Sequence, residues 1–318
     1  MKQLTLDALA SDLVCPVCKE SALQCRKDPQ ETIHCRTCNR SFPVSGGIPN
    51  FLLHELLDET NRNELDGNHY DVSNQHAVAA ATTKLDWSPA YIHSLIYAME
   101  KVRDGIRKHV SSSCTEVCSL GSGTGFELKW LCRELSFSRV YSSDISPSAV
   151  SLVPVTLEDV QLPVGLFVSE FLNVPMAKTE KRLGLVFQAL HHTSDIHIAL
   201  DSLLRNNFST LVVVEPTTNW LIEFLAKFGL AKRVEYSGLN PSWLNLSEAK
   251  RIADEHQCGV NIKTWWEIPP YLSTHFDRRP MARKLLTKFM DLFSSLTNFF
   301  SFGSMSCVVF VRHNKTVN

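Results

Sequence analysis

Residues 115–131 read TEVCSLGSGTGFELKWL. The run TEVCSL is short, largely apolar and closed by a glycine, the pattern of a buried strand. FELKWLCREL, residues 126–135, has helical spacing. Gly121, Gly123 and Gly125 therefore lie in a turn between strand and helix, at the carboxyl edge where open α/β sheets bind ligands. The next strand, RVYSSD, ends in Asp144, nineteen residues after Gly125, where a carboxylate can accept hydrogen bonds from a ribose diol. The loop spells G-x-G-x-G, one residue tighter than the nicotinamide dinucleotide fingerprint.

The same alternation continues on both sides. YIHSLIYAMEKVRDGIRKHV (91–110) is helical with a basic end, and SPSAVSLV (146–153) starts a helix behind Ser146-Pro147. GLFVSE, GLVFQAL and TLVVVEP are the third to fifth strands, and GVNIKTWW and SCVVFVRH the sixth and seventh. Strands alternating with helices predict an α/β fold with a mostly parallel sheet covered on both faces. This domain is expected to span 111–318, with 56–110 as linker and N-terminal helices and 1–55 as a small separate module. NRNELDGNHYDVSNQH (61–76) has no core-forming period and reads as a linker or a mobile lead-in. There is no internal repeat.

Composition agrees with an ordinary globular chain. Of 318 residues, 44% are hydrophobic and 20% charged, enough for one large domain and one small one. A formal net charge of -1 supplies no global field for a polyanion, so nucleic acid would need a local basic patch. The N-terminus lacks the succession of a signal peptide, and no run of 18 apolar residues occurs; a cytosolic protein is expected. Ten cysteines in a chain this long do not make a disulfide scaffold. Cys114, Cys118 and Cys132 sit in apolar sequence, where cysteine serves as a small hydrophobe.

Four cysteines form two tight pairs. Cys15/Cys18 and Cys35/Cys38 are each C-x2-C, separated by 16 residues, a spacing that predicts a structural zinc site. Four thiolates would close a tetrahedral shell and leave no place for a catalytic water. Because all four lie within Cys15–Cys38, the metal is expected to stabilise this module alone. Cys25 and His34 are alternative ligands outside the paired loops. LVCPVC, IHCRTC and SFPVSGGIPNFL together resemble the small zinc-ribbon proteins that partner and activate methyltransferases, a likeness covering Leu13 to Leu53. It implies a zinc ribbon and admits a protein partner for it.

A second resemblance covers Asn68 to Pro216. GSGTG is similar to motif I of class I S-adenosylmethionine (SAM)-dependent methyltransferases, SEFLNVP to their acidic residue five places before a proline, and ALHH and VVVEP to the ends of their next two strands. The core looks like the ubiquinone-biosynthesis type. The resemblance implies a Rossmann-like, seven-stranded sheet and SAM as cofactor. It further implies Tyr70 closing over the cofactor, Gly121, Ser122, Gly123 and Gly125 beneath it, Asp144 and Ile145 at the ribose, Glu170 and Phe171 at the adenine, and Gln188 as a further contact. His191 and His192 are the catalytic candidates, either as a base or as hydrogen-bonded structural groups; Glu215 is a candidate of the same standing or a helix cap. KRLGLVF departs from the family by lacking an acid at the start of its strand, with Lys181, Arg182 and Gly184 instead; the expected effect is on packing or access.

The acceptor side should come from the N-terminal helices and an insert at about 270–303. Within HFDRRPMARKLLTKFMDLFSSLTNFFSFGS (275–304), Met281, Leu285, Phe289, Leu292 and Leu296 recur at helical spacing beside Arg283, Lys284 and Lys288. That is either a lid packed on the sheet edge or a peripheral contact with an anionic membrane that guides an acidic or lipid-like substrate. Three functions follow in order: a methyltransferase for a small-molecule, lipid or glycan intermediate; an RNA base methyltransferase; and a non-catalytic binding partner.

Overall fold

The computed structural model describes residues 1–27, 30–67, 70–84, 87–227, 242–267, 278–298 and 300–313. The chain begins with β1 (Lys2–Gln3) and α1 (Leu6–Asp12), followed by the antiparallel strands β2 (Leu23–Arg26), β3 (Thr32–Cys35), β4 (Ser41–Ser45) and β5 (Ile48–Pro49). Next come α2 (Glu59–Gly67), α3 (Gln75–Thr83) and α4 (Pro89–His109). Then β6 (Glu116–Leu120), α5 (Phe126–Glu134), β7 (Arg139–Asp144), α6 (Pro147–Thr156), β8 (Pro163–Val168), β9 (Thr179–Phe187), α7 (Ile196–Asn206) and β10 (Phe208–Pro216) alternate. The described chain continues with α8 (Trp220–Lys227), α9 (Leu246–Glu255), β11 (Cys258–Trp265), α10 (Pro280–Asn298) and β12 (Met305–Arg312).

The sheet order is β1-β8-β7-β6-β9-β10-β12-β11, with β12 antiparallel to both neighbours and the other pairs parallel. All seven expected strands are present. An eighth, β1, pairs with β8 at the edge; its two residues, both polar, carry no strand signal in the sequence. Period-2 alternation divides the core. Cys118, Leu211 and Val213 face one layer with α1, α7 and α9, whereas Val117, Val212 and Val214 face the other with α4, α5 and α6. Local signals set the helix starts: the Asn74, Ser88, Ser146, Asp195 and Asn245 side chains accept from first-turn amides, and Pro89 and Pro147 open α4 and α6.

Three expectations change. Part of the stretch 61–76 is helical: 61–67 belong to α2 and 75–76 open α3, with 70–74 outside any helix between them. Asn61 and Glu64 are the buried residues of α2, with Leu65 partly buried beside them, so the helix carries no apolar period. The first 53 residues share a core with the sheet, because Leu9, Leu13, Ile33, Phe42 and Phe51 pack in one cluster with Phe167, Val174 and Met176. Backbone bonds add to this, with Val14 N donating to Pro175 O at 2.8 Å and Phe51 N to Val168 O at 2.9 Å. Of the insert expected at 270–303, residues 270–277 and 299 lie outside the described residues. Its apolar stripe faces outward and not onto the sheet: Met281, Leu285, Phe289, Leu292 and Leu296 are between 59% and 79% exposed.

Candidate active site and metal centre

Strand order reverses between β6 and β9, and a cavity of about 500 Å³ opens there at the carboxyl edge, as expected of a doubly wound sheet. Its floor is the loop after β6. Gly121, Gly123 and Gly125 all have positive φ, and at Gly121 a Cβ would lie 2.4 Å from Ala189 Cβ and 2.9 Å from Phe171 Cζ. No other residue fits that position without displacing the segments that follow β8 and β9. Asp144 braces the loop, with Oδ2 accepting from Gly123 N at 2.8 Å and Oδ1 from Ser146 N at 2.9 Å. Burial raises the Asp144 carboxyl, against the effect of those two amides.

Glu170 follows β8 and lies on the cavity wall. Its carboxylate accepts from Leu172 N and Asn173 Nδ2, each at 2.5 Å, capping a short turn at Phe171–Asn173. Burial raises this group too, opposed by those donors and by the Lys19 ammonium. Over the loop, Thr124 Oγ1 donates to Ala81 O at 2.8 Å, tying α3 to it. Lys84, the left-handed cap of α3, lies 4.2 Å over the Trp87 ring. Tyr70 N donates to Ser148 Oγ at 3.0 Å, and its phenol lies in the electrostatic reach of Asp144 and Glu127.

Two histidines sit after β9 with ring centroids 4.2 Å apart. His191 Nδ1 is 2.6 Å from Glu215 Oε2, and Glu215 Oε1 accepts from the amides of Ala189 (2.9 Å) and Leu190 (2.7 Å). Glu215, fully buried, therefore holds the β9 turn and the His191 ring, and does not cap the helix that follows it. His192 Nδ1 is 3.0 Å from Glu64 Oε1 on α2.

The four paired cysteines converge, with all their sulfurs within 4.8 Å of one another. The Cys15–Cys38 and Cys18–Cys35 sulfur distances are both 3.6 Å. Thiolates about 2.3 Å from a common zinc at tetrahedral angles stand about 3.8 Å apart, so the residues fit a closed four-thiolate centre. Lys19 and Asn39, each just after a C-x2-C pair, adopt positive φ, which turns the chain sharply beneath the sulfurs. His34 instead pairs through Nδ1 with Ser41 Oγ at 3.0 Å, and Cys25 is outside the cluster.

Residues 118–206 match the family described as a methyltransferase domain. This segment is a methyltransferase domain. In fold the chain is similar to magnesium protoporphyrin IX methyltransferase of Synechocystis, at 14% identity over 70% of this chain and 84% of that one, TM-score 0.46. It is also similar to the YcgJ protein of Bacillus subtilis, at 14% over 69% and 99%, TM-score 0.46. A chain of a Haloferax volcanii complex containing a methyltransferase activator is similar at 14% over 75% and 96%, TM-score 0.47. No curated protein matches the sequence.

In and around the methyltransferase domain the cavity gathers Tyr70, Gly121, Ser122, Gly123, Asp144, Ile145, Glu170, Phe171, Gln188, His191 and His192 on its wall. Gly125 is set back, serving as the N-cap of α5 against Val153. Sequence reasoning missed Glu64, Lys84, Trp87, Glu127 and Glu267, which also line it. The Glu64 signal was a lone acid in a polar stretch, and that of Glu267 an acid two residues past the end of β11; neither carries a motif. Glu267 is raised to about 7 by burial.

The basic start of β9 also has an account. Arg182 is buried and pairs with Glu116 at 2.8 Å, donates to Tyr141 Oη at 3.1 Å and to Ala177 O at 3.1 Å. The strand begins at Thr179, earlier than KRLGLVF implied, so an acid does stand at its start: Glu180, which accepts from Ser209 Oγ at 3.0 Å. The counter-ion of Arg182 stands on the neighbouring strand, at the sheet edge opposite the cavity.

Proposed function

We propose that the chain is a SAM-dependent methyltransferase acting on a small-molecule, lipid or glycan-type biosynthetic intermediate, with a zinc ribbon fused at its N-terminus. The observation that carries this reading is the alignment, along one sheet edge, of the glycine loop, Asp144 and Glu170. Neighbouring strands stand about 4.8 Å apart, so acids on adjacent strand ends suit the successive ribose and adenine of one nucleoside. Asp144 would hold the ribose diol, Glu170 the adenine edge beside Phe171, and the amides near Gly121 the amino-acid tail. Tyr70 would cover the cofactor from α3's side, with Ser122, Ile145 and Gln188 as further contacts.

When bound, SAM supplies a methyl group already activated by its sulfonium, so the protein's work is to place an acceptor in line with it. His191, its ring fixed by Glu215, and His192, fixed by Glu64, are the groups able to take a proton from a hydroxyl or ammonium acceptor. Glu267 stands on the same wall, and the sheet order puts it at the end farthest from Glu170, the side left for the acceptor. The ribbon offers a surface for a protein partner.

Calorimetric titration with SAM tests the cofactor assignment. Asp144→Ala should weaken binding by one to two orders of magnitude, roughly 1.5–3 kcal/mol for a charge-assisted pair. Unchanged affinity in the folded variant would remove Asp144 from the site. Incubation with methyl-labelled SAM and fractionated cell extract then separates the acceptor classes: label in the small-molecule or lipid fraction supports the reading, and label in RNA replaces it.

A further inference from the structure

Helix α10 is inverted relative to an ordinary surface helix. Its inward side carries polar groups that are individually bonded, beside the partly buried Met290 and the Phe293 ring, which stands 5.6 Å from that of Trp266. Ser294 Oγ accepts from Trp266 N at 2.9 Å, Thr297 Oγ1 from Trp266 Nε1 at 3.0 Å, and Asn298 Oδ1 from Thr264 N at 2.9 Å. Asp291, the helix's one acid, hydrogen-bonds Tyr97 of α4. These bonds set the helix's rotation about its axis, and with it the direction of the opposite face.

That opposite face is apolar. Met281, Leu285, Phe289, Leu292 and Leu296 succeed one another at three- and four-residue intervals, all well exposed. Beyond the helix end the surface continues through an aromatic row, with Phe300 and Phe302 centroids 6.1 Å apart and Phe302 5.7 Å from the half-exposed Trp220 of α8. Lys284 and Lys288 are exposed one turn apart along one flank of the stripe, and Arg278 and Arg279 are exposed at its start. With Asp291 turned inward, the helix's outer face carries cations and apolar groups and no acid.

We propose that this face lies in the plane of an anionic bilayer, with the five apolar side chains below the headgroups and the two lysines reaching lipid phosphates. The charge pattern selects this occupant. A stripe of large flexible apolar groups needs an apolar medium, and long-stemmed cations at its border can bury their methylenes while keeping the ammonium at the phosphate level. An acidic bilayer supplies both. Trp220 suits the same boundary, since indole favours the membrane interface. The inference stands apart from the cofactor assignment and adds to it: Trp266, anchored on α10, immediately precedes Glu267 on the cavity wall, so a docked protein would present its acceptor side near the lipid.

Co-sedimentation of the full chain with vesicles of phosphatidylcholine alone, and of phosphatidylcholine with phosphatidylglycerol, tests the proposal at low and moderate salt. The protein should pellet with the anionic vesicles and be released as salt rises. Lys284→Glu with Lys288→Glu should lower partitioning roughly tenfold or more, given about fivefold per cation near such a surface. Leu285→Gln with Leu292→Gln should abolish it, with circular dichroism and SAM affinity unchanged. Wild-type protein left in the supernatant with both vesicles at low salt overturns the proposal. So does equal binding to neutral vesicles unaffected by the lysine reversals. A concentration-dependent dimer in analytical ultracentrifugation that Leu292→Gln disperses, without vesicle binding, would assign the face to a second copy instead.

Discussion

Glu267 differs from the other carboxylates of the cavity wall. Asp144 and Glu170 are held by amides, Glu64 by His192, and Glu127 lies near the Lys84 ammonium, whereas burial is the sole influence on Glu267 among the described residues. Its carboxyl is pushed up to about 7, above the ordinary value of about 4.3 in an unfolded chain. The folded protein then holds a proton that the unfolded chain releases, so the stability this residue contributes is present below about pH 4.3 and is lost as pH rises through about 7. Glu267→Gln should stabilise the protein at pH 8 by on the order of 2 kcal/mol and change it little at pH 5, as read by urea denaturation at the two pH values. Equal effects at both would mean that the carboxyl is not buried as described. Asp144, by contrast, is held in place by bonds to the loop it braces, so under the proposed function its replacement should act on affinity first.

At the scale of elements, β9 is tied to its neighbours by a network of charges at the amino edge of the sheet. Arg182 reaches Glu116 on β6 and Tyr141 on β7, while Arg139 and the Tyr141 hydroxyl both bond Asp12 at the end of α1, each at 2.8 Å. Removing one member strands a buried charge. Arg182→Met should therefore destabilise the fold by about 3 kcal/mol in chemical denaturation, with SAM affinity unchanged, because the network lies at the amino edge of the sheet. A loss of affinity without loss of stability would contradict that placement. Helices α2 and α10 are both oriented by polar groups, Glu64 in one and Ser294, Thr297 and Asn298 in the other, with Leu65 and Phe293 packed beside them. Hydrophobic periodicity therefore misses the first and leaves the direction of the second open.

For the whole molecule, the N-terminal module is continuous with the sheet. It adds β1 to the edge, shares a hydrophobic cluster with β8 and the segment after it, and sets Lys19, next to the metal-ligand candidate Cys18, in electrostatic contact with Glu170. Zinc, proposed at about one per chain by elemental analysis, should thus support the cavity as well as the ribbon. Cys35→Ser with Cys38→Ser should lose the metal and weaken SAM binding by about tenfold, the scale of ordinary coupling between sites. Retained stoichiometric zinc would refute the ligand set. Metal loss with unaltered affinity would show the ribbon to be energetically independent.

The seven strands, the glycine loop and the cysteine pairs were legible because each belongs to a local pattern: a buried run, a turn that demands glycine, or a fixed spacing between ligands. Asp144 was singled out by its place at the next strand end, and Glu170 only through the resemblance of SEFLNVP to a family motif. What no local pattern carries was decided in three dimensions. Glu64 comes to His192 from 128 residues away, Glu215 locks a turn on the neighbouring strand, and Arg182 finds its counter-ion across the sheet. The apolar stripe of α10 was visible in sequence, but its direction was not. Amphipathicity records that a helix has two faces, and the bonds of Ser294, Thr297 and Asn298 to the end of β11 settle which of them meets the protein.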